Sequence, residues 1–289
     1  MGIPIPLMYL FEDKNGKKQV VDGRQRISAI LDFLEGKFKL NNLRILKQFN
    51  GCCFADLDLK QQGVIEDFQL LFYIIQPPTP ERVKYDIFDR VNRGGTPLNK
   101  QEMRNALYRG RCTRMLDKLC CSPEFLIATG RSINKERMKD QYVVLRAMAF
   151  LMLHRGEFKD IPALQYRGDI DDFLARFMVY VNDNAPEKLI VDYENLFIRC
   201  MQISYDLLGE NGFRFSGNGI RRPINMPLFE ALSYLFSFVP EKIDYTWVSR
   251  LILDIESVKE EFDDSRYFSG NIDSTTSVSF RFDRMDKII

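Results

Sequence analysis

The chain has 289 residues, 45% of them hydrophobic, which is enough apolar material for one large or two modest domains. Its 41 basic and 40 acidic residues leave a net charge of +1, so attraction to a polyanion must come from a local patch. The single histidine, His154, excludes mechanisms that need two in one chain, as in His-Asn-His nucleases, His-Asp phosphohydrolases and most zinc hydrolases.

At the start, "MGIPIPLMYLFEDK" has no basic lead-in to an apolar stretch, so no secretory leader is predicted. "PLMYLFE" (6–12) and "KKQVVDG" (17–23) are strand-like runs joined by the turn residues "DKNG", a predicted hairpin. From Arg24 the period changes. Ile27, Ile30, Leu31 and Leu34 form one apolar stripe of a helix ending near Gly36. "FKL" (38–40) and "LRIL" (43–46) are short strand candidates. "LKQQGVIEDFQ" (59–69) is a predicted helix capped by Asp58, and "LLFYIIQ" (70–76) a predicted buried strand.

"PPTPE" then stops that strand, and Thr79 with Pro80 starts a helix to about Asn92. It breaks at Gly94-Gly95, and another helix starts at Asn99. Helical periodicity continues over 135–153, 187–208, 225–238 and 246–262. The tail "SGNIDSTTSVSF" is polar and reads as a loop. The longest apolar run, "YVVLRAMAFLML", contains Arg146 and is too short for a bilayer, so no membrane partner is expected. The six cysteines include no C-x-x-C pair, which predicts reduced thiols and a cytoplasmic location. The expected fold class is α+β, a small mixed α/β region followed by a larger all-helical region, with domains at 1–110 and 111–289.

The first dense constellation is "VVDGRQRISAI". A helix N-terminus exposes unpaired N–H groups and partial positive charge. Gly23 permits a sharp turn or a close approach. Arg24 and Arg26 flank that terminus, and the arginine fork grips phosphate oxygens in bidentate fashion. Gln25 can donate to a base, sugar or phosphate, or orient a water. Asp22 can accept from a ribose hydroxyl, hold a Mg²⁺-bound water, or act as a base. The competing reading makes Asp22 a cap and the arginines solvated charges. Arginine in a first helical turn, however, opposes the macrodipole by a few tenths to about 1 kcal/mol unless an anion is present.

The second constellation is "IFDRVNRGGTPLNKQEMRNALYRGR" (87–111). Gly94-Gly95 after a helix can form an anion nest, with Arg90, Asn92 and Arg93 around it. Glu102, Arg104 and Asn105 follow. The competing reading has Gly94 as a C-cap and Asn99 with Glu102 as a capping box. "RGRCTRMLDK" and "RSINKERMK" are locally basic, and as DNA contacts they would be sequence-blind. "RFSGNGIRRPIN" (214–225) is either a phosphate-facing loop or a surface turn.

"VVDGRQRISAI" resembles the DGQQR signature of the N-terminal domain of GmrSD-type restriction systems, in the ParB/sulfiredoxin-like superfamily. "IFDRVNRGGTPLNKQEMRNALYRG" resembles that family's F-x-x-x-N-x-G-G-x-x-L-x-x-x-E pattern. "GIPIPLMYLFE" and "RRPINMPLFEAL" are similar to further segments of its members. By matching positions the motif residues are Asp22, Gly23, Gln25 and Arg26, then Phe88, Asn92, Gly94, Gly95, Leu98 and Glu102, with Phe88 and Leu98 as packing residues. Arg24 stands where the signature has a glutamine, an exchange compatible with phosphate binding. Members carry an upstream segment with Gln-Arg and aromatic residues. This sequence begins after it, so either a truncated start or an incomplete site is expected.

The resemblance implies a nucleotide-binding, NTP-hydrolysing regulatory protein of a prokaryotic anti-phage restriction system. Catalytic roles fall to Asp22, Gln25, Arg26 and Glu102. Phosphate contacts fall to Gly23, Arg24, Arg26, Asn92, Arg93, Gly94 and Gly95. The expected cofactor is an NTP with Mg²⁺ positioned by Asp22 or Glu102. The expected partners are nucleotide, DNA and a nuclease subunit in trans, because this chain has no His-Asn-His domain of its own. The rival readings are a DNA or nucleotide sensor without turnover, and an interaction protein whose arginines bind a partner's carboxylates.

Overall fold

The computed structural model describes residues 4–12, 16–76, 83, 87, 98–216, 221–240 and 245–289. The chain divides into two compact units, 1–97 and 98–289.

The first unit is built on a three-stranded sheet of order β2-β1-β3. β1 (Met8–Glu12) pairs antiparallel with β2 (Lys18–Asp22), with a bulge between Tyr9 and Leu10, and Tyr9 lies opposite Asp22. β3 (Phe72–Ile75) runs parallel to β1 on its other side. The predicted hairpin therefore forms. α1 (Arg24–Leu34) follows β2 after one residue, and Phe33 is its buried anchor, packed against Phe38 and Phe54. The predicted stripe is only partly buried, with Leu31 51% exposed. α2 (Leu59–Glu66) starts at Asp58, whose side chain accepts from the Gln61 amide while the Gln61 side chain accepts from the Asp58 amide. This capping box makes the predicted start the observed one.

Two expectations in this unit are corrected. Residues 38–40 and 43–46 form no strand. Instead Leu40 exchanges backbone hydrogen bonds with Gly51 and Cys52, and the Asn50 side chain serves both backbone groups of Leu43. These loop contacts satisfy the backbone that a ladder would have used. β3 is not buried either: Phe72, Tyr73 and Ile74 are exposed, and only Ile75 is buried. It is an edge strand, so its apolar run does not report a covered position.

The second unit is helical throughout its described residues. In order come α3 (Lys100–Leu107), α4 (Arg111–Cys120), α5 (Pro123–Ala128), α6 (Lys139–His154) and α7 (Ile170–Asp183). Then follow α8 (Glu187–Leu208), α9 (Met226–Phe236), α10 (Tyr245–Asp263) and α11 (Thr275–Asp286). α6 is buried from Val143 to Met152 and α9 from Pro227 to Phe236, so both are apolar on nearly every face, as core helices are. Inside this core Arg146 of α6 and Arg281 of α11 both pair with Glu230 of α9, and Arg146 also reaches Asp273.

The polar tail is also corrected. Its second half is α11, started by the Ser274 side chain accepting from the Ser277 amide. Val278, Arg281, Phe282 and Met285 supply the buried face at helical spacing. An arginine within that stripe, and four Ser or Thr residues before it, masked the period.

Candidate functional site

The site is a single tight turn. Asp22 ends β2 and Arg24 begins α1, with Gly23 alone between them at φ 93° and ψ 6°. A Cβ at Gly23 would lie 2.5 Å from Met8 Cγ and 2.7 Å from Met8 Sδ, and Met8 is fully buried. Left-handed backbone and absent space both demand glycine here. The Ile27 amide donates to the Gly23 carbonyl at 2.8 Å and closes the first turn of α1. That turn has no side-chain cap and no acidic residue, so its leading N–H groups and partial positive charge meet no carboxylate of the turn.

Arg24 and Gln25 are exposed on this terminus. Arg26 turns back. Its Nη1 donates to the Pro6 carbonyl at 2.7 Å, and its Nη2 donates to Asp22 Oδ2. One guanidinium thereby ties the chain entering β1 to the end of β2. The pair is half-buried, with side chains 32% and 24% exposed. The sequence reading named both residues but not this contact, although their i, i+4 spacing across the turn was a signal for it.

Of the second motif, Phe88, Arg90, Asn92, Arg93, Gly94 and Gly95 lie outside the described residues. Glu102 belongs to the second unit, where it completes a capping box. Asn99 Oδ1 accepts from the Gln101 and Glu102 amides, and Glu102 Oε2 accepts from the Asn99 amide at 2.7 Å. Arg137 donates to the same carboxylate at 3.0 Å. Burial works to raise the Glu102 pKa, but the Arg137 guanidinium and the Asn99 amide outweigh it and hold the carboxyl below its usual range. The structure thus gathers Asp22, Gly23, Arg24, Gln25 and Arg26 into one turn, while the Glu102 carboxylate is engaged within its own helix and by Arg137.

Other arginines of the motifs have structural partners. Arg104 is fully buried and donates to Asp171 and Gln101. Arg214 is buried and donates to the carbonyls of Thr129, Glu210 and Arg222, while Arg221 pairs with Glu210 and Arg222 with Asp263. Within 214–225 the described arginines therefore have protein partners, and residues 217–220 lie outside the described residues. The buried Arg146–Glu230–Arg281 trio was missed at the sequence level; Arg146 inside an apolar run was its one visible sign. A cavity of about 340 Å³ between α10 and α11 is lined by Trp247, Arg250, Arg284 and Lys287, none of them a motif residue.

Among the described residues, no group of three or more His, Cys, Asp or Glu side chains could hold a metal ion. Asp22 offers one partly exposed carboxylate. That donor fits Mg²⁺, which keeps several waters and takes one or two carboxylates beside phosphate oxygens.

A strand, a left-handed glycine and an uncapped helix start bearing arginines make up this turn. Residues 1–109 match the family model described as GmrSD restriction endonuclease, N-terminal domain. Over that region the chain is similar to the N-terminal domain of GmrSD-type restriction systems. Searches of curated proteins and of solved structures each found no match.

Proposed function

We propose that the turn at Asp22–Arg26 binds the phosphates of a nucleotide, and that the protein is a nucleotide-dependent regulator in a restriction or phage-defence system. The observation that carries this reading is the exposed Arg24 on an α1 terminus that has neither cap nor acid, within a region matching the GmrSD N-terminal family. Arg24 and the amides after Gly23 would hold phosphate oxygens. Gln25 would orient a water or contact the sugar. Asp22 and Arg26 would meet the metal and phosphate halves of the ligand.

Hydrolysis would proceed by attack of a water oxygen on the terminal phosphorus. The bond from phosphorus to the bridging oxygen would break, giving inorganic phosphate and the shortened nucleotide. Charge stabilisation by the arginines and the amides would lower this barrier without a covalent nucleophile. Bound Mg²⁺ would add neutralisation of the phosphate charge. One observation favours the reading without turnover: Asp22, the nearest base, is engaged by Arg26. A sensor that signals to a nuclease subunit in trans, with DNA as a further partner, uses the same binding site.

Six free cysteines support a reducing, cytoplasmic setting. None of the described helices is long and apolar enough to cross a membrane. The test is a thermal-shift panel of the four ribonucleoside triphosphates with Mg²⁺, followed by phosphate release for each one that binds. A shift with phosphate release supports the enzyme, and a shift without release supports the sensor. No shift with any nucleotide rejects both.

A further inference from the structure

We infer that the groove between α10 and α11 is a docking site for a partner protein, and that it takes a segment of that partner in which large apolar side chains lie beside carboxylates. The inference is independent of the nucleotide reading. The cavity of about 340 Å³ in this groove is of the size that specific pockets have. Its floor is hydrocarbon, with Leu251 and Val258 of α10 both buried. Trp247, the one tryptophan of the chain, lines it and is still partly exposed. The two elements that flank the groove also hold the apolar surface of this unit. Among its described residues the three most exposed large hydrophobic side chains are Tyr245, Leu253 and Ile289, all on α10 or just after α11. Apolar surface gathered in one place, with Trp, Tyr and Arg together, is the composition of a protein interface.

The mouth of the groove sets the charge of the occupant. Arg250 is 85% exposed, and its nearest carboxylate, Asp254, stands 3.8 Å away, too far for a hydrogen bond. Arg284 uses only Nε, on Glu261 at 2.9 Å. Lys287 is exposed and makes no ion pair among the described residues. Three cations above a hydrocarbon floor match an acidic segment with apolar anchors, whose side chains fill the floor while its carboxylates meet the rim. A nucleic-acid strand matches less well. Its evenly spaced phosphates would meet Asp254 at the mouth and compete with Glu261 for Arg284, and one indole gives a single stacking platform. Two copies meeting groove to groove would bring rims of like net charge together.

The test is a selection of random peptides displayed on phage against the full chain. Selected peptides that lack tryptophan are then titrated into it while Trp247 emission is read, so that the signal comes from this groove alone. The selected sequences should place Asp or Glu beside large apolar residues, and binding should shift the emission to the blue. The Arg250→Glu, Lys287→Glu double variant should bind them on the order of tenfold more weakly. Peptides with Lys in place of Asp and Glu should prefer that variant to the wild type, a reversal that lost folding could not produce. Should the double variant fail to fold, salt dependence decides: wild-type affinity should fall as KCl is raised, and salt-independent binding rejects the proposal. No enriched peptide, a basic or purely apolar consensus, or binding that leaves Trp247 emission unchanged overturns it. So does oligo-dT that binds more tightly than the best peptide. A wild type whose Trp247 emission shifts to the blue as it dimerises with rising concentration assigns the groove to a second copy and overturns it too.

Discussion

Gly23 and Met8 touch so closely that the turn has room for no other residue: a Cβ on Gly23 would stand 2.5 Å from Met8 Cγ. Because φ at Gly23 is also 93°, Gly23→Ala carries strain as well as a clash. It should destabilise the protein by roughly 2–4 kcal/mol in urea unfolding. Shortening Met8 in the same chain should recover part of the clash and none of the backbone strain, leaving a residual loss.

Arg24→Ala tests the ligand-facing side of the turn without touching its frame. Arg24 is exposed and opposes the positive end of α1, so its removal should leave stability unchanged or raise it by about 0.3–1 kcal/mol. The nucleotide-dependent thermal shift should disappear in the same variant. A large loss of stability in the apo protein would mean that Arg24 is structural.

Glu230 is the acidic centre of a buried trio in which the side chains of Arg146, Glu230 and Arg281 are 1%, 0% and 0% exposed. Glu230→Gln keeps the shape and removes the only charge that both guanidinium groups share. The expected cost is roughly 3–5 kcal/mol, read from denaturant midpoints, because two buried cations lose their common partner.

His154 stacks on Phe282 with ring centroids 3.6 Å apart, and its buried Nε2 has no hydrogen-bond partner. Burial, and then the nearby Arg281 guanidinium, lower its pKa to about 4 from the ordinary 6.5. The unfolded chain therefore takes up the proton first as pH falls. Stability from this group is fully present above about pH 6.5 and declines as pH falls toward about 4, by on the order of 3 kcal/mol in total. His154→Phe should flatten unfolding free energy across that window, and an unchanged slope would assign the acid sensitivity elsewhere.

Local chemistry was the part of this molecule that the sequence made readable. Turn residues between two alternating runs produce the β1–β2 hairpin. Asp58 with Gln61, and Asn99 with Glu102, produce the helix starts they signal. What stayed hidden depends on partners far along the chain. The buried face of α11 is interrupted by Arg281, whose partner Glu230 lies 51 residues away, so its period looked polar. β3 has the composition of a covered strand but an edge position, and composition carries no information on which neighbour a strand acquires. At the candidate site, the residues of the turn were legible. That Arg26 turns Nη1 to Pro6 and Nη2 to Asp22 was not, because the Pro6 carbonyl is a backbone acceptor 20 residues away.

The Arg146–Glu230–Arg281 trio also restricts how this bundle can drift. Altering Glu230 alone strands two cations in the apolar interior, whereas exchanging all three for well-packed apolar residues need cost little. The loss of Glu230 by itself lies in a fitness valley and the joint step does not. Homologous bundles should therefore rarely keep both arginines without the glutamate, and those that lack it should carry a hydrocarbon seam at these three positions.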